Sequence, residues 1–173
     1  MSPIKRDALG VNMLDSTVSS AAVPNRMRDF TTGANATFGH LMIRRRVVNN
    51  TGGNVTRLRF RIVEVTTFPS PGGGVADLRP ITSVNVSVGG VNDAATCTAA
   101  SAGPPPCTVT VKGTTLETPP AQPNGGGVNS TFGDGTITLG TPLANGASAN
   151  VQFVLGIQTT GTFRFLIIVE ALP

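Results

Sequence analysis

Between Leu41 and Thr66 the chain reads LMIRRRVVNNTGGNVTRLRFRIVEVT, two alternating runs of β-forming residues on either side of a polar turn. Leu58, Phe60 and Ile62 share one parity, and Arg57, Arg59 and Arg61 share the other. That is the period-two signature of a strand with one buried and one exposed face. Asn and Gly in NNTGGN tolerate the positive φ of tight connections, so the stretch is expected to form a β-hairpin. With Val48 facing Val55, Arg46 would lie opposite Arg57 and Arg44 opposite Arg59, giving one core face and one arginine face. The buried parity then meets Glu64 while Val63 and Val65 continue the apolar pattern out of phase. Two readings fit: a β-bulge near Ile62–Glu64, or a strand leaving the core with Glu64 at its solvated end.

The rest of the chain has the same grain. Its 173 residues suit one domain with a real core, and 21 Gly and 13 Pro punctuate it throughout. No Gly- and Pro-free window carries a helical apolar stripe over good helix formers, so almost no helix is expected. Val84, Val86 and Val88 alternate with polar residues, as do Cys107, Val109 and Val111. Ile137 and Leu139, then Val151, Phe153, Leu155 and Ile157, then Phe163, Phe165, Ile167 and Val169 predict three further strands. The last is apolar on both parities, which predicts a central position in a sheet. Residues 68–74 and 118–130 read as Pro/Gly-rich surface loops.

Residues 1–35 read as an N-terminal arm before a single domain at 36–173. Leu9, Val11 and Met13 alternate as a candidate edge strand. DSTVSSAAVPN after them is a polar connector with no core pattern. The arm could pair within its own chain or exchange into a neighbouring subunit by β-augmentation. Cys97 and Cys107 bracket a short Pro-rich loop, a spacing that predicts a disulfide in an oxidising compartment.

The net charge is +4, and eleven of the 13 basic residues are Arg. Arg44, Arg46, Arg57, Arg59 and Arg61 form the candidate interaction face. Like charges directly opposite on neighbouring strands are unfavourable by up to about 1 kcal/mol per pair, so this face needs anions. They could come from Asp15, Asp29 or Asp77 of the same chain, from a neighbouring domain or subunit, or from an external polyanion. Nucleic acid is disfavoured, because the chain has no Tyr or Trp to stack on bases and no recognition motif.

His40 is the only histidine, and it lies within an apolar run, away from any recognisable nucleophile motif. The carboxylates show no calcium-loop spacing and the GGG runs no phosphate-loop context. The expectation is no enzyme, no cofactor and no metal. N-x-[ST] triplets occur at Asn35, Asn49, Asn54, Asn85 and Asn129, several by chance in so Asn- and Thr-rich a chain. No run of about eighteen apolar residues could span a membrane, and MSPIKRDALG lacks the apolar run of a signal peptide. The preferred explanation of that start is a module cut from a longer secreted polypeptide.

NNTGGNVTRLRFRIVEV, GTITLGTPLANGASANVQFVLGI and TGTFRFLIIVEA together resemble bacterial immunoglobulin-like surface modules, over roughly residues 36–66 and 135–173. The whole chain is also similar to C-terminal segments of large secreted bacterial proteins. The resemblance implies an all-β, immunoglobulin-like antiparallel β-sandwich, extracellular or at the cell surface, with a structural or adhesion role. Its partners would be other domains of a parent polypeptide or copies of itself. Two alternatives stand beside it: a self-assembling subunit of a filament or coat that exchanges its N-terminal arm, and a polyanion-binding module using the arginine face.

Overall fold

The computed structural model describes residues 8–66, 73–117, 128 and 130–172, without the side chains of 134–138. The expected Pro/Gly-rich loops fall mostly outside these residues. Among the described residues the fold is all-β with one short helix, in the order β1 (Leu9–Met13), β2 (Arg26–Asp29), β3 (His40–Asn49), β4 (Val55–Val65), β5 (Asp77–Ile81), β6 (Val86–Val91), α1 (Ala94–Ala99), β7 (Cys107–Val111), β8 (Thr114–Glu117), β9 (Thr131–Leu143), β10 (Ser148–Thr159) and β11 (Phe165–Leu172).

Two antiparallel sheets face each other. The first runs β1-β3-β10-β5, with β2 also paired to β3, and the second runs β11-β4-β9-β8. Leu41, Ile43, Val47, Val151, Phe153, Leu155 and Ile157 from the first meet Leu58, Phe60, Ile62, Phe132 and Leu139 from the second in one core. Phe153 is its hub. Its ring sits edge-on to Phe60 with centroids 5.0 Å apart, and Phe132 and Phe165 follow at 5.7 and 5.9 Å. Such contacts add about 0.5–1.5 kcal/mol each beyond the burial of the rings.

The hairpin expected at 41–66 does not form, because β3 and β4 belong to different sheets. Alternation fixes which face of a strand is buried but not which strand it pairs with. Here the two apolar faces meet across the core, and the NNTGG segment crosses between sheets as an arch. A second arch, residues 144–147, carries β9 into β10, and Asn49 joins the two. Its Nδ2 donates to the carbonyls of Gly53 and Leu143, while its Oδ1 accepts from the N–H and hydroxyl of Thr51. With 0% exposure, the Asn49 amide is structural and closed to glycosylation.

The phase break at Glu64 is a β-bulge. Leu166 pairs with Glu64 and Ile167 with Ile62, leaving Val63 as the extra residue. Val65 thereby returns to the core, and Glu64 meets Arg164 at 3.4 Å. The doubly apolar β11 is an edge strand, not a central one, and its outward Leu166 is 49% exposed. The central, doubly covered strand is β10, buried from Ala149 to Ile157.

A third unit, the β6–β7 ribbon with α1, has its own small core of Leu14, Val88, Val91, Cys97, Cys107, Val109 and Val111. Asp93 caps the helix by accepting from Thr96 N–H at 2.7 Å. The ribbon joins the first sheet through a parallel bridge between Lys112 and Val151. Among the described residues, no helix is long and apolar enough to cross a membrane.

Candidate functional site

The structure divides the five arginines picked out by parity. Arg44 and Arg46 lie on the outer face of the first sheet, and Arg57, Arg59 and Arg61 on the outer face of the second. They do not form one interaction face, because the arch turns the two strands' outer faces away from each other. Arg44 is buried beneath the connector, where it donates to the Pro24 carbonyl and to Gln152 Oε1, both at 3.4 Å. Burial pushes its guanidinium below the ordinary value. Arg57 is exposed, and Arg59 Nε donates to Glu170 Oε2 at 2.7 Å.

None of the three suggested aspartates meets these arginines. Asp77 takes Arg79 through two hydrogen bonds of 2.8 and 2.9 Å, and Asp29 accepts from Thr31 N–H. Asp15 accepts from Thr17 and from Asn92 N–H at 2.7 Å. Ser16, through its hydroxyl and its N–H, bonds Asp93. The connector that looked patternless is thus fixed by buried polar groups: Asn25 accepts from Asp15 N–H and donates back to the Asp15 and Ser19 carbonyls. Leu9, Val11 and Met13 pair with Asn49, Val47 and Arg45, so the arm's first strand lies on its own chain's sheet. Cys97 and Cys107 are joined by a disulfide, which ties α1 to the start of β7.

A different group of arginines occupies the open side of the sandwich, between the β1/β2 edge of one sheet and β11 of the other. Arg45 follows the inward parity of Ile43 and Val47. Arg26 and Arg28 on β2 pair with inward-facing Ile43 and Leu41. Arg26, Arg45 and Ser20 line a cleft of about 210 Å3 with Val11, Phe153, Phe163 and Phe165. A second hollow of about 160 Å3 shares Arg26 and Phe163 and reaches Leu41, Ala76, Leu78 and Ile157. The Arg26 guanidinium lies 5.8 Å from the Phe163 ring centre. Arg28 stands 5.0 Å over Phe30 and donates to the Phe38 carbonyl.

Arg45 donates to the Arg44 carbonyl at 2.8 Å, and no described carboxylate forms an ion pair with it or with Arg26. Burial first, and then the nearby charge of Arg26, push the Arg45 guanidinium below its ordinary value. Parity on the polar strand faces does not point to this group, because Arg45 follows the apolar parity of β3. The available signal was a charged residue at the apolar parity of L-x-I-x-R-x-V, together with R-x-R in the arm.

His40 lies opposite Asp29 across the β2–β3 pair. Among the described residues, no cluster of three or more His, Cys, Asp or Glu is placed to hold a metal ion. Fold and site together define a disulfide-bonded, all-β protein of two facing antiparallel sheets with a cationic, phenylalanine-lined opening. No known protein family, curated protein or solved structure matches the chain.

Proposed function

We propose that this chain is a non-enzymatic structural or adhesion module of a bacterial surface protein, an immunoglobulin-like sandwich that works outside the cell. The observation that carries this reading is the Cys97–Cys107 disulfide, which closes the ribbon beside the first sheet. Disulfides of this structural kind persist in oxidising compartments and are rare in reducing ones. Pinned inter-sheet arches and a connector held by buried hydrogen bonds suit a stiff spacer or display element. In the alternative reading, a subunit assembling by exchange of its arm, the same β1 pairing would be made in a neighbour.

The test combines location and mass. Antibody raised against the chain should label intact source cells, and alkylation before lysis should leave both cysteines unmodified. Light scattering of the isolated chain should give one chain mass, whereas a stable multiple would favour the assembling subunit. A cytosolic pool with both thiols alkylated would overturn the surface assignment.

A further inference from the structure

We propose that the opening between β2 and β11 is a binding site for a small amphiphilic carboxylate, one carrying an aryl group or short acyl chain. The proposal is independent of where the protein resides. The inward parity of β3 reads Leu41, Ile43, Arg45, Val47, so a guanidinium stands where its strand neighbours are apolar. Charges in such surroundings are costly unless paired and hydrogen-bonded. The Arg45 guanidinium donates to a backbone carbonyl, and Arg26, of the same sign, lines the same cleft. Two guanidiniums sharing a cleft without a described carboxylate form an incomplete arrangement, which one anion would complete by accepting from both.

The walls specify the rest of the ligand. Phe153, Phe163, Phe165 and Ile167 line the cleft, and the adjoining hollow around Arg26 and Phe163 runs on to Leu41, Leu78 and Ile157. Apolar cavities of about 150 Å3 accept a benzene-sized ring, so about 210 Å3 suits an aryl group or short chain. A bare inorganic anion would leave the phenylalanines unused, and an uncharged hydrocarbon would leave the arginines unpaired. A carboxylate at the arginines with its tail among the rings satisfies both.

The full chain should be titrated with octanoate and phenylpropanoate, with octanol and acetate as controls, by calorimetry and amide NMR. Octanoate or phenylpropanoate should bind with shifts centred on β2, Arg45 and residues 163–167. Octanol and acetate should each bind at least about tenfold more weakly, as expected if both recognition elements contribute. Arg45→Gln should weaken octanoate by about tenfold or more. Should that variant fold poorly, Arg26→Gln at the half-exposed edge serves the same purpose, and Arg57→Gln should leave binding unchanged. Octanol binding as tightly as octanoate would overturn the proposal. So would shifts away from the opening, or no binding of either carboxylate at millimolar concentration.

Discussion

The side-chain amide of Asn49 donates to the carbonyl of Leu143 at 2.7 Å, joining the arch that leaves β3 to the end of the strand that feeds the other arch. The backbone adds to the join, with Gly146 N–H donating to the Asn49 carbonyl and Asn49 N–H to Ala147. One side chain therefore holds both crossings between the sheets. Asn49→Ala would leave the Gly53 and Leu143 carbonyls short of a donor, at a cost of about 2–4 kcal/mol. Thermal unfolding should move down by roughly 2–4 °C per kcal/mol for a chain of this size. Asn49→Asp should not rescue it, because a carboxylate has no N–H to give.

The disulfide spans ten positions of sequence. Closing so short a loop restricts the unfolded chain modestly, so replacing both cysteines by serine should cost about 2–3 kcal/mol. Without reductant, intact mass should fall two hydrogens below the sequence mass. Chemical denaturation of the double variant should show a lower midpoint.

Asp15 and Asp93 should make the connector acid-sensitive. Burial pulls the Asp15 carboxyl upward, but hydrogen bonds from Asn92 and Thr17 outweigh it and hold the group below its ordinary value. For Asp93 burial is likewise outweighed, by Ser16 and Thr96. A carboxyl depressed in the folded state favours folding when ionised. That contribution is present above the unfolded value of about 4 and is lost as pH falls through the lower folded one. Protection of the amides at residues 14–19 and 91–96, relative to their intrinsic exchange rates, should therefore fall below about pH 4, and Asp15→Asn should flatten that dependence.

Arg59 and Arg57 sit two residues apart on the same face yet should behave differently. The Glu170 side chain is 1% exposed and Arg59 33%, so Arg59→Ala takes one charged partner from a buried carboxylate. Allowing for solvent around Arg59, a loss of about 1–3 kcal/mol is expected. Arg57→Ala, at an exposed site, should stay within about 0.5 kcal/mol. Paired urea titrations measure the contrast directly.

Deleting residues 1–30 would remove β1, β2, Leu14 and the Asp15–Asn25 hydrogen bonds together. Because both strands lie on β3 of their own chain, the truncated protein should remain monomeric and unfold at lower temperature. An unchanged melting temperature with loss of a larger assembly would instead show that the arm functions in a neighbour.

β2, β5 and β8 have no period-two signature, but local pattern carried the longer strands and the disulfide and left the bulge as one of two readings, since each depends on residues close in sequence. Val63 shows this well: the phase slip between Ile62 and Val65 is visible in the letters themselves. Pairing partners are another matter. The alternation of β3 and β4 is equally consistent with a hairpin and with two sheets facing each other, and only the long-range pairing of β3 with β10 decides. The roles of β10 and β11 were exchanged for a related reason. Asn150 and Gln152 make the outer parity of β10 look solvated, yet both are buried beside the ribbon, with Gln152 donating to Val84 O and Asn150 to Thr110 O. Arg26 and Arg45 are hard to read from sequence because a charged residue on an apolar face breaks the alternation by which faces are recognised.

The pairing of β3 with β10 also bears on how such a chain is made. Val48 waits for Ser148 and His40 for Gly156, separations of 100 and 116 residues. A ribosome delivering the chain from its N-terminus releases β1, β2 and β3 long before the strand that will lie against them. The β6–β7 ribbon, whose partners are close in sequence, can close during synthesis, but the larger sandwich cannot. Pairings this distant are slow to form and expose apolar strands in the interval. Leu41, Ile43 and Val47 therefore spend most of the synthesis time as a sticky nascent segment. The arginines interleaved with them keep that segment charged, and so less prone to associate with its copies, until the C-terminal third arrives.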